Sequence, residues 1–118
     1  MLILIKNKYI ITGKNINPKE NISSFIKKKD FNIIMSLFSR MLKENQWRDY
    51  SFSLQKEDII FCFYKHSFET PVYKIIYEKK SNNFNLWTTY HQNNKVRSSS
   101  SLEKTVKWIE SRYLKSVD

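Results

Sequence analysis

Residues 50–64 read Tyr-Ser-Phe-Ser-Leu-Gln-Lys-Glu-Asp-Ile-Ile-Phe-Cys-Phe-Tyr. Successive side chains of a strand point to opposite faces, so Tyr50, Phe52 and Leu54 share one face and Ser51 and Ser53 the other. Gln55 to Asp58 is polar and can turn. Ile59 to Lys65 is strand-like again, with Phe61 and Phe63 on one face and Ile60, Cys62 and Tyr64 on the other. Alternating runs joined by so few residues predict an antiparallel pair. The pattern continues downstream. Ser67 to Pro71 breaks the second run, Val72 to Glu78 forms a third, Lys79 to Asn83 turns, and Phe84 to His91 forms a fourth.

Helices are expected on both sides of these strands. Phe31, Ile34, Met35, Phe38, Met41 and Leu42 recur at helical spacing over residues 30–45, and Ile33 and Leu37 widen the stripe. Asp30 is the expected N-cap, and Asn45 stands where a left-handed C-terminal residue belongs. Residues 101–116 form the second helix, with Ser100 and Glu103 spaced as a capping box and Leu102, Val106, Ile109 and Tyr113 as its buried stripe. Helix, strands, helix gives an α+β two-layer sandwich, an antiparallel meander of about four strands with both helices on one face. Residues 1–24 read as a basic N-terminal extension or linker, with Leu2 to Thr12 as an edge hairpin or strand. Residues 25–118 form one domain.

The 118 residues carry 21 basic and 11 acidic groups, a net +10. Residues 1–29 hold seven lysines and one glutamate, densest at Lys27-Lys28-Lys29. A basic arm suits a polyanionic partner. Yet there are 17 lysines to four arginines, no alanine, one glycine, 14 isoleucines and 11 asparagines. Base-composition drift in an AT-rich gene gives the same bias without a partner. The longest apolar runs are too short to span a membrane, and no secretory signal opens the chain, so a cytoplasmic setting is expected. A single cysteine, Cys62, excludes an internal disulfide and a cysteine-based zinc site. With one glycine there is no phosphate-binding loop. His66, His91 and Cys62 match no metal-ligand spacing; neither metal nor cofactor is expected.

Phe38-Ser39-Arg40-Met41, then Gln46-Trp47-Arg48-Asp49-Tyr50, then Phe61 to His66 and Glu69-Thr70-Pro71-Val72-Tyr73-Lys74-Ile75 form a pattern at fixed separation. It resembles a family of small proteobacterial proteins catalogued as a domain of unknown function, over roughly residues 30–116. In that family a glycine precedes Glu-Trp-Arg-Asp-Tyr; Asn45 stands there. Its basic pair after the second strand becomes Lys65-His66, and its Lys-Arg-Gly before the last helix is only echoed by Lys95-Val96-Arg97. The resemblance implies a fold grouping and a bacterial cytoplasmic setting, and no mechanism.

Two groups of residues are candidates for binding. Trp47, Arg48, Asp49 and Tyr50 join the first helix to the first strand. With Glu69 they form either an exposed recognition patch, since Trp, Tyr and Arg dominate interface hot spots, or a structural junction in which Trp47 closes the core. Lys95, Arg97, Ser100 and Lys104 surround the entry of the last helix, where free N–H groups favour anions. With Lys27, Lys28 and Lys29 they would contact nucleic-acid phosphates; alternatively they are a solvated cap. No residue set has catalytic spacing. The expectation is a small non-enzymatic module acting through a macromolecular contact, foremost with a protein partner; the alternative is RNA or DNA, or the ribosome, and an enzyme stands third. The order of elements parallels double-stranded RNA-binding domains, but their lysine cluster is missing and order alone carries no function.

Overall fold

The computed structural model describes residues 2–5, 8–11, 26–56, 58–66, 70–81 and 84–115, with side chains described between residues 26 and 113 of these. Among them the order is β1 (Leu2–Ile5), β2 (Lys8–Ile11), α1 (Lys28–Lys43), β3 (Asp49–Gln55), β4 (Asp58–Tyr64), β5 (Tyr73–Ser81), β6 (Phe84–His91), β7 (Asn94–Ser99) and α2 (Leu102–Lys115). All strands join one antiparallel sheet in the order β2-β1-β3-β4-β5-β6-β7. The chain is α+β. The expected meander of about four strands becomes five consecutive strands, β3 to β7, extended by the β1–β2 hairpin. β1 meets β3 at Ile3 and Ser53. The expected linker, residues 13–24, lies outside the described residues.

β7 is hidden in the sequence for a physical reason. Asn94-Lys-Val-Arg-Ser-Ser holds one apolar side chain, and all six residues are exposed or half-buried at the sheet edge, so no alternation marks it. The turn before it is equally silent. Gln92 and Asn93 take left-handed φ of 50° and 68°, as a two-residue hairpin of the twist-matched type requires. Residues other than glycine fill both positions.

Phe52↔Phe61, Phe61↔Ile75 and Ile75↔Thr89 are direct pairs, so one face of the sheet is a continuous apolar surface. Ile34, Leu37, Phe38 and Met41 of α1 and Leu102, Val106 and Ile109 of α2 join that face in one buried cluster. Phe31 meets Phe52 edge-on at 5.5 Å and Phe38 stacks on Phe63 at 6.3 Å, so α1 covers β3 and β4. Arg97 of β7 lies under Trp108 of α2, so α2 reaches the far edge.

The helix ends depart from expectation at the starts and agree at the turn. Lys27, not Asp30, is the N-cap of α1, and its side chain makes no capping bond. Asp30 instead lies in the first turn, where burial raises its carboxyl above the usual range against the lowering pull of Lys27 and Lys29. Leu42 is 45% exposed rather than part of the stripe. At the other end the Gln46 N–H donates to the Met41 carbonyl and the Asn45 N–H to Leu42. With Asn45 at φ 58°, this is the Schellman closure. For α2 the cap is Ser101, one residue later than expected: its Oγ accepts from the Lys104 N–H at 3.2 Å. Among the described residues no helix is long and apolar enough to cross a membrane.

Candidate functional site

The Schellman turn at Asn45 delivers Trp47 into the core. Trp47 is 0% exposed, stacks on Phe63 with ring centroids 4.3 Å apart, and donates its Nε1–H to the Tyr113 hydroxyl at 2.6 Å. It therefore ties α2 to the α1–β3 junction and presents no surface to a partner. Of the expected patch, Arg48 is exposed, and its backbone N–H donates to Tyr64 at 2.7 Å. Asp49 accepts from the Tyr50 N–H, and the half-buried Tyr50 ring packs on Phe38 at 4.5 Å. Glu69 lies outside the described residues. The junction is thus built by its own hydrogen bonds and ring contacts. Burial pushes the Tyr113 hydroxyl up to about 12, against the lowering effect of the Trp47 bond.

The second candidate group is rearranged by a β-bulge. Thr89 pairs with Arg97 and Tyr90 with Lys95, leaving Val96 as the extra residue. Without it Lys95 and Arg97, two apart, would share a face. The bulge shifts the phase: Lys95 goes with Tyr90 to the face away from the helices, and Arg97 goes with Thr89 to the face beneath α2. Ser100 is exposed, and the capping role falls to Ser101. Lys27, Lys28 and Lys29 are exposed at the start of α1, where Lys27, Lys29 and Glu103 of the first turn of α2 all act on the Asp30 carboxyl. The structure therefore divides the expected anion set, with Lys95 on one face of the sheet and Arg97 on the other.

Arg97 and Lys104 meet neighbours that the sequence pattern does not assign to the site. Lys104, Trp108 and Arg112 fall at i, i+4 and i+8 along one flank of α2. The Arg97 guanidinium carbon lies 5.7 Å from the Trp108 ring centroid and that of Arg112 5.4 Å. Arg112 also reaches the Tyr73 hydroxyl, and Tyr73 stacks on His91 at 4.6 Å. The Arg97 Nε is buried without a hydrogen-bond partner among the described residues, as is Oγ1 of its paired neighbour Thr89. Leaving a buried donor unmatched costs about 1–3 kcal/mol.

The carboxylates of α2 sit on the opposite flank. Glu110 accepts from Nε and Nη2 of Arg40 on α1, at 2.8 and 3.1 Å, and Glu103 lies close enough to Asp30 to raise its carboxyl. One side of α2 thus faces α1, with the Arg40–Glu110 pair across the seam. The other carries Lys104, Trp108 and Arg112 beside Arg97, with no ion pair to any of the three cations among the described residues. The recoverable signal in the sequence is the spacing of Lys104, Trp108 and Arg112 against Glu103 and Glu110. It is easily missed, because β7, which brings Arg97 to that flank, has no alternation to reveal it.

The face of the sheet turned from the helices is covered by no described element. Ser53, Ile60, Ile76, Thr88 and Ser98 form one directly paired row across it, and Ser51, Cys62, Lys74, Tyr90 and Lys95 the next. Ile60, Ile76, Tyr64, Tyr90 and Leu86 are half-buried there. Tyr64 shares a hydrogen bond with Ser51 at 3.1 Å, and Lys74 lies 5.0 Å over the Tyr90 ring. Burial pushes the Cys62 thiol up, away from the reactive thiolate.

No curated protein and no solved structure matches the chain. A family model does match, over residues 24–106, from the approach to α1 through the first turns of α2. The chain belongs to the family described as Protein of unknown function (DUF2794).

Proposed function

We propose that the chain is a small non-enzymatic α+β module whose task is a macromolecular contact, made with a protein partner through the face of its sheet that no described element covers. The observation that carries this reading is the Ile60–Ile76 pair at the centre of that face, flanked by Tyr64, Tyr90 and Leu86. The centre is uncharged, Lys74 is drawn over the Tyr90 ring, and Lys80 is paired with Glu78 at 3.0 Å near the end of β5. An apolar centre with a polar rim suits a neutral protein surface better than a polyanion. Both helices join the core on one face of the sheet, and no described element covers the other.

The test is residue-resolved cross-linking of the full chain in its native cell extract, with and without nuclease, comparing the natural chain with Ile76→Lys. Nuclease-resistant cross-links to the β4–β6 face that vanish in Ile76→Lys, with an unchanged melting temperature, support the reading. Cross-links confined to the helix side, or unaffected by the substitution, overturn it. A second reading, a nucleic-acid binder, is favoured by one observation, the unneutralised cations around Trp108.

A further inference from the structure

We propose that the β7–α2 flank recognises the phosphodiester backbone of nucleic acid, with Arg97, Arg112 and Lys104 as the phosphate ligands and Trp108 as the plate that aligns the two guanidinium groups. The proposal rests on the second reading above and gives it a site.

Three observations converge here. Arg97 and Arg112 approach one indole from different elements, a strand and a helix, so their placement is tertiary and does not follow from chain neighbourhood. The Arg97 guanidinium has no ion pair among the described residues, and an oxyanion is what a guanidinium fork binds by two parallel hydrogen bonds. The carboxylates of α2 face α1 instead, Glu110 paired to Arg40 and Glu103 set towards Asp30, so no acid of that helix competes for the two arginines. Lys104, one turn before Trp108, adds a point charge beside the helix N-terminus, where anions are favoured. Arginines held against a ring lose less freedom on binding than free lysines do. This separates the flank from the lysine run at the start of α1.

The experiment is fluorescence anisotropy of a labelled single-stranded RNA oligomer, and of a duplex DNA, with the full chain over a salt series. Arg97→Gln with Arg112→Gln should weaken RNA binding about tenfold or more and lower the log–log salt slope by about 0.7 for each phosphate left unneutralised. Arg97→Lys should keep the slope and lose affinity, because one ammonium replaces a two-pronged donor. Arg40→Gln, which removes a cation already paired to Glu110, should change neither. If the paired Arg→Gln variant binds like the natural chain while Lys27→Ala/Lys28→Ala/Lys29→Ala abolishes binding, the flank is overturned and the nucleic-acid reading stands. If the natural chain binds neither RNA nor DNA at low salt, both fall.

Discussion

The two faces of the sheet are made by the same strands and differ residue by residue. On β4, Phe61 is fully buried and its neighbour Cys62 is only partly so; on β5, Ile75 is fully buried and Ile76 is not. The inner face carries large rings in mutual contact: Trp47 on Phe63, Tyr73 on His91, and Tyr77 against Trp87 at 4.4 Å. The outer face carries isoleucines among serines and threonines. The first is filled by the chain itself, and no described element covers the second. Stability should therefore be concentrated on the inner face.

The largest effect should come from Trp47→Ala, which empties the junction of both helices and leaves the Tyr113 hydroxyl without its donor. A loss of about 3–5 kcal/mol in denaturant unfolding is expected. A loss below roughly 0.5 kcal/mol, the range of surface substitutions, would show that the inner face tolerates an opening and would erase the contrast.

The pattern of the inner face is plain in the chain. Phe52, Phe61, Ile75 and Thr89 alternate with smaller or polar neighbours, and the α1 stripe holds helical period, because burial against one partner surface imposes a period on sequence. The structural role of Trp47, closing the core, is one of two that its place at the junction suggests. What stays illegible has no period. β7 is exposed or half-buried along its length at a sheet edge, the bulge at Val96 sends Lys95 and Arg97 to opposite faces, and the partners of Trp108 come from elements that only the fold brings together. The candidate anion site is thus half-readable: Arg97 and Lys104 stand out in the sequence, and Arg112 does not.

An intermediate effect should appear at alkaline pH. Tyr113 titrates near 10 when unfolded and is held at about 12 in the fold, so folding favours its neutral form. That contribution is complete below about pH 10 and is lost as pH rises through about 12. Tyr113→Phe, which cannot ionise, should lower stability at neutral pH by about 1 kcal/mol for the missing Trp47 hydrogen bond and lose less than the natural chain between pH 9 and 12. Parallel curves for the two proteins would place the alkaline sensitivity elsewhere.

The smallest effect should be that of Ile60→Ser on the outer face. With no described element above it, the change in unfolding free energy should stay under about 1 kcal/mol. A cost near that of a core truncation would show that the outer face is covered within the chain and has no room for a partner.

Asn45, Lys56, Gln92 and Asn93 all hold left-handed backbone at φ between 50° and 68°, and all four carry a Cβ. A residue with a Cβ is less at ease there than glycine, by about 1–2 kcal/mol in the general case and less for asparagine. At Lys56 and Gln92 the turn is thus held in place more by the strands it connects than by its own preference. A glycine at Lys56 or Gln92 would trade that conformational strain for the greater freedom of the unfolded chain.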